Sequence, residues 1–232
     1  MGGHSTTVVF DLDGTLIDTA PDLIGTLNHI LVREGFEAVE YNVAREAIGA
    51  GAKRLLERGL SRQGEKVSAQ RLDALYRDYL DHYAEHIADR SRPFPGLEAA
   101  LDRLASENHI LAVCTNKLEW LSVRLLDRLK LSQRFAAIVG QDTIKIAKPD
   151  PAVLRHTITA AGGDPSRAVM VGDSITDIAT ARAASVPVIA VDFGYTDTPV
   201  SELHPDRVIG HFESLPDIVD TLTARARSRP QG

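Results

Sequence analysis

The chain has 232 residues, 44% of them hydrophobic and 25% charged, with a formal net charge of −6. That suits one domain, or a domain carrying an insertion, with enough apolar material for a sizeable core. Lys and Arg are scattered rather than striped, which argues against a general nucleic-acid binder, and no apolar run approaches the length of a membrane span. The single cysteine, Cys114, rules out an intrachain disulfide, and no signal-like apolar region precedes the first strand. A reducing, cytoplasmic setting is therefore expected, with no nucleic-acid or membrane partner. Cys114 itself, inside an apolar run, reads as a small buried hydrophobe.

The first element is Val8-Val9-Phe10, a short apolar run that suits a strand buried on both faces. It stops at Asp11-Leu12-Asp13-Gly14-Thr15. In open α/β sheets ligands bind at the carboxyl edge of the strands, so these carboxylates stand where a site would form. A plain polar turn is the bland alternative.

Pro21 and Asp22 then suit a first helical turn, with Thr19 as its cap. Leu23, Leu27, Ile30 and Leu31 continue at helical spacing up to Gly35. A second helix runs from Val43 to Leu56, interrupted at Gly49-Ala50-Gly51. A third carries Leu72, Leu75, Tyr76, Tyr79, Leu80, Tyr83 and Ile87, its tyrosines read as core packing. Residues 18–91 thus contain no convincing strand. Arg92-Pro93-Phe94-Pro95-Gly96 reads as a linker.

Beyond it the pattern alternates. Strands are expected at Ile110–Cys114, Ala136–Val139, Ala168–Val171, Val188–Val191 and, briefly, Val208-Ile209, with helices between them and a last helix over Leu215–Leu222. Alternation of this kind implies βαβ units and a parallel sheet. The expected fold is α/β, a Rossmann-like parallel-sheet core of residues 1–17 and 92–232 with an inserted all-helical cap domain, 18–91, over the end of the first strand.

Three further polar clusters border the core strands. Thr115-Asn116-Lys117 follows Cys114, Lys148-Pro149-Asp150-Pro151 lies before a helix, and Gly172-Asp173-Ser174-Ile175-Thr176-Asp177 follows Val171. Each has an ordinary reading alone: Thr115-Asn116 or Ser174 as helix caps, Asp177 in a positive first turn, Lys117 and Lys148 as exposed loop lysines. In a parallel sheet all of them share one edge with Asp11, and that convergence favours an active site.

Asp11-Leu12-Asp13-Gly14-Thr15, Thr115-Asn116, Lys148-Pro149 and Gly172-Asp173-Ser174-x-x-Asp177 together resemble the four motifs of the haloacid dehalogenase superfamily of phosphohydrolases, in the same order and with a cap insertion after the first. The length, the helical cap, the Gly49-Ala50-Gly51-Ala52 turn and the segment Val191–Tyr195 resemble its phosphoglycolate phosphatases. The resemblance implies Asp11 as nucleophile, forming an aspartyl phosphate, and Asp13 as the acid and base that protonates the leaving oxygen and then activates water. A crowd of carboxylates can raise one member's proton affinity. Asp11, Asp173 and the backbone carbonyl of Asp13 are the implied Mg²⁺ ligands, a hard oxygen set with room for waters. Asp177 would hold a metal-bound water or a lysine. Lys148, preferred over Lys145 because a proline follows it, would meet the phosphoryl group together with Thr115 and the amide of Asn116.

Residues 49–53 are candidate contacts to the rest of a small phosphorylated metabolite. Arg54 and Arg58 read as solvated helix charges, and Arg182 as structural. Among alternatives, a dehalogenase lacks an acid at Asp13. Hexose-phosphate mutases usually carry a basic residue where Ala50-Gly51-Ala52 stands, and a non-catalytic phospho-receiver lacks the large cap. Pyrophosphatase or nucleotidase activity on the same scaffold is a further alternative.

Overall fold

The computed structural model describes residues 5–45, 48, 51–64, 67–196 and 198–227. In chain order they form β1 (Thr7–Phe10), β2 (Ile17–Asp18), α1 (Ala20–Arg33), α2 (Tyr41–Arg45), α3 (Ala52–Arg62) and α4 (Ala69–Glu85). Then come β3 (Arg92–Pro93), α5 (Leu97–Ser106), β4 (Ile110–Cys114), α6 (Glu119–Arg128), β5 (Ala137–Val139) and α7 (Pro151–Ala160). The last elements are β6 (Ala168–Gly172), α8 (Ile175–Ala184), β7 (Val188–Val191), β8 (Arg207–Ile209) and α9 (Leu215–Arg227).

Six strands make one parallel sheet in the order β5-β4-β1-β6-β7-β8. β1 is central, with Thr7 opposite Ile110 on one side and Ala168 on the other. A strand flanked by neighbours and covered on both faces has no polar side to show, and Val8, Val9 and Phe10 are fully buried. Their period of two divides them between two cores. Val8 and Phe10 pack with residues of α5, α6 and α9, whereas Val9 packs with residues of α7 and α8. The chain leaves β1, builds outward through β4 and β5, then returns to β6 on β1's other side. Strand order therefore reverses beside β1, the place where open α/β sheets form their binding crevice.

Between β2 and β3 the named elements among the described residues are all helices, α1 to α4. α1 packs against α3 and α4, and the buried Tyr79 hydroxyl donates to the Leu23 carbonyl at 3.0 Å. Gly59 lets α3 approach closely, since a Cβ there would lie 3.0 Å from a Leu27 methyl.

Local details depart from expectation. Arg92-Pro93, read as plain linker, pairs antiparallel with Ile17-Asp18, so the entry and exit of the helical insertion are tied together. The buried Asp22 adds to that tie by accepting from the amides of Arg90 and Ser91 and from the Ser91 hydroxyl at 2.7–3.1 Å. Thr19 does not cap α1; its backbone is already helical and its side chain makes no capping bond. Within the interrupted helix expected over 43–56, the described residues include the end of α2 and the start of α3, and Gly51 enters α3 with φ at +90°. Gly49 and Ala50, part of the turn singled out above, lie outside the described residues. No helix among the described residues is long and apolar enough to cross a membrane.

Candidate active site

The site assembles where β1, β4 and β6 end. The Asp11 amide continues the sheet by donating to the Val171 carbonyl at 2.9 Å. The chain then folds back, with the amides of Leu16 and Ile17 both donating to the Leu12 carbonyl. Gly14 makes this possible. Its φ of +84° suits glycine, and a Cβ would lie 2.6 Å from Asp173 Oδ2. The loop is thereby pressed against Asp173, whose carboxylate accepts from the Thr15 hydroxyl at 2.9 Å and the Tyr195 amide at 2.8 Å.

Asp177 sits in the first turn of α8 in a capping box. Ser174 Oγ accepts from the Asp177 amide, and the Asp177 carboxylate accepts from the Ser174 amide. The other oxygen of Asp177 lies 2.6 Å from Lys148 Nζ, which also lies 2.8 Å from Asp11 Oδ1. Lys148 is therefore no loop lysine in solvent: its side chain is 2% exposed. Lys145 is exposed and takes no part.

Asn116 holds this lysine's backbone in place. Its side-chain amide donates to the Lys148 carbonyl at 3.1 Å and its oxygen accepts from the Lys148 amide at 2.9 Å. Thr115 is buried beside it, with Oγ1 accepting from the Lys117 amide at 3.2 Å.

Lys117, read from sequence as another exposed loop lysine, is the clearest correction. It is buried, and its Nζ contacts both carboxylate oxygens of Asp13 at 2.9 and 3.1 Å. Its adjacency to Thr115-Asn116 was the only signal available. Tyr83 and Tyr76, read as core packing, line the cavity that opens onto Asp11, Asp13, Thr115 and Lys148, with Leu55 and Leu80 beside them. Tyr83 is nonetheless buried, as a core residue would be. Arg54 and Arg58 are exposed, as solvated charges should be, but they also border a second opening beside Asp173 and Lys148. Arg182 donates to the carbonyls of Leu203 and His204, a structural role.

Ligand oxygens of Asp11, Asp173 and Asp177 lie within 4.8 Å of one another. Burial pushes Asp11 up to about 8, with Lys148 opposing and the Asp177 and Asp173 charges adding to the rise. Burial and the Asp177 charge likewise push Asp173 up to about 6. Burial works against the charge on Lys148, but Asp11 and Asp177 hold it above the usual lysine value. Asp11 and Asp177 both rest on the Lys148 ammonium, while Asp173 meets only the Thr15 hydroxyl and the Tyr195 amide, so this group of three carboxylates has one ammonium among it and a cation would relieve the crowding. Burial raises the Cys114 thiol to about 11, so it stays protonated at neutral pH.

The arrangement has relatives. A family model described as haloacid dehalogenase-like hydrolase matches residues 8–191. A phosphoglycolate phosphatase of Mesorhizobium japonicum is 50% identical over 208 residues, covering 90% of this chain and 92% of the relative. One from Caulobacter vibrioides is 46% identical over 219 residues, covering 94% and 92%. A crystal structure from Haemophilus somnus, described as a predicted phosphoglycolate phosphatase, superposes with a TM-score of 0.87 at 27% identity, covering 94% of this chain and 99% of that one. With the family model spanning most of the chain, and half the residues shared with a relative over nearly full length, this protein belongs to the haloacid dehalogenase-like hydrolases.

Proposed function

We propose that this hydrolase is a Mg²⁺-dependent phosphomonoesterase that converts 2-phosphoglycolate to glycolate and phosphate. The substrate reading is carried by relatives named phosphoglycolate phosphatase that cover nine-tenths of the chain. The chemical reading is supported by the carboxylate pair Asp11 and Asp13 facing one cavity with Lys148. Residues 18–91 act as the cap over a core of 1–17 and 92–232, closing the cavity against water.

The residues present fit a divalent cation: they are oxygen donors, buried, and too negative as a group for Lys148 alone to balance. Asp11, Asp173 and the Asp13 backbone carbonyl would hold Mg²⁺, which supplies neutralising charge for the carboxylates and the phosphoryl oxygens. Asp11 attacks phosphorus and becomes the aspartyl phosphate. Asp13 gives its proton to the leaving oxygen of glycolate, then takes one from the water that releases phosphate. Lys148, held by Asp177, balances charge on the transferring group. The Thr115 hydroxyl and the Asn116 amide donate to phosphoryl oxygens.

Steady-state hydrolysis tests this. With Mg²⁺ present, kcat/KM for 2-phosphoglycolate should exceed that for hexose phosphates and nucleotides by at least about tenfold, and Asp11→Asn should lower kcat by about 10⁴-fold or more while the circular dichroism spectrum stays unchanged. Near-normal turnover by Asp11→Asn, or a preferred sugar phosphate, would defeat the assignment.

A further inference from the structure

Lys117 is a buried cation that phosphoryl transfer itself does not require. The phosphoryl side of the cavity already has Lys148. Lys117 points instead at Asp13, and its Nζ stands 4.5 Å from the centroid of the Tyr83 ring. Among the described residues lining this cavity, Lys117 and Lys148 are the only lysines or arginines. Tyr83 lines the same cavity, and its hydroxyl is buried with no hydrogen-bond partner among the described residues. Burial, with the charges of Asp13 and Asp22, holds that phenol well above its ordinary value, so it stays a donor.

The position of Asp13 says what Lys117 can reach. A group that protonates the leaving oxygen must come within hydrogen-bond distance of it. Whatever lies one or two bonds beyond that oxygen then comes close to a cation resting on the same carboxylate. In 2-phosphoglycolate the carboxyl carbon is two bonds from the ester oxygen. An ammonium has three donors, so Lys117 can keep Asp13 and accept a second carboxylate. An unpartnered buried hydroxyl nearby offers a further donor, and an unmet donor of that kind is costly unless a ligand meets it.

We propose that Lys117 and the Tyr83 hydroxyl form the subsite for the carboxylate of a 2-phospho carboxylic acid, making Lys117 a specificity-determining residue. The inference rests on the phosphoglycolate reading above and adds the residues that recognise the non-phosphate end.

Ethyl phosphate is the matched probe, since it has the same ester and carbon skeleton without the carboxylate. The readout is the ratio of kcat/KM for 2-phosphoglycolate to that for ethyl phosphate, with Mg²⁺ present. Any indirect effect of Lys117 through Asp13 touches both esters and cancels in the ratio. Lys117→Met should lower the ratio by about 30-fold or more, with ethyl phosphate losing a smaller factor. Tyr83→Phe removes only an unpartnered oxygen and should lower the ratio by about 5-fold; it carries the test if Lys117→Met does not fold. A wild-type ratio near one defeats the phosphoglycolate reading and this inference with it. A large wild-type ratio that survives in folded Lys117→Met, or in Tyr83→Phe should that variant be the only one to fold, overturns the carboxylate subsite alone.

Discussion

Asn116 shows how a residue can matter to the proposed phosphate site through its side chain's hold on a neighbouring backbone. Both ends of that side chain are occupied by the Lys148 backbone. Lys148 in turn is held by two carboxylates at 2.6 and 2.8 Å. Asn116→Ala should therefore misplace a charge rather than remove one. The expected result is a fall in kcat/KM of about 10- to 100-fold, together with a loss of about 1–2 kcal/mol in urea unfolding for the two bonds. Thr15 plays the matching part for Asp173, which it meets at 2.9 Å in a buried setting. Thr15→Val should raise the Mg²⁺ concentration needed for half-maximal activity several-fold while saturating Mg²⁺ restores most of the rate. An unchanged Mg²⁺ requirement would show that Asp173 is oriented without it.

The elements are joined where the helical insertion leaves and re-enters the core. β2 and β3 are only two residues each, too short to hold by strand pairing alone. Two side chains reinforce them. Asp22, at the start of α1, grips the amides of Arg90 and Ser91 just before β3. Tyr195 accepts from the Ala20 amide at 2.9 Å and donates to Asp18 at 2.7 Å, while its own amide holds Asp173. Arg45 of α2 donates to the Phe193 and Gly194 carbonyls next to it. The loop after β7 thus links the insertion to the acidic cluster. Asp22→Ala leaves buried amides unpaired and should cost about 2–3 kcal/mol, read as a lower urea midpoint. Tyr195→Phe keeps the ring and should cost about 1–2 kcal/mol; because it loosens the junction, its effect on KM should exceed that on kcat.

For the molecule as a whole, the acidic cluster sets how stability responds to pH. Asp11 at about 8 and Asp173 at about 6 in the folded state both stand above a free carboxylate. The folded chain therefore binds more protons than the unfolded one. The stabilisation this confers is complete below about pH 4 and is lost as pH rises through those two values. A divalent cation that takes the place of the protons reverses the loss. Metal-free protein should accordingly melt at a lower temperature at pH 8.5 than at pH 6, and the rise in Tm on adding Mg²⁺ should be larger at pH 8.5. An equal Mg²⁺ effect at both pH values in thermal melts would place the cation away from Asp11 and Asp173.

The amino-acid sequence by itself determined the alternation of strands and helices, the helical block after β1 and the gathering of Asp11, Thr115, Lys148 and Asp173 at one sheet edge. Those features follow from local hydrophobic period and from the geometry of a parallel sheet, which puts every strand's carboxyl end on the same side. Only the tertiary structure decided the partners. Lys117 meets Asp13 across 104 positions, Asn116 meets Lys148 across 32, and Tyr195 meets Asp18 across 177. The direction a loop side chain takes depends on what packs around it, and for Lys117 that is an aromatic wall contributed by α4. A local pattern carries no information about such a wall, so a lysine that looked solvated became a buried cation beside the proposed acid.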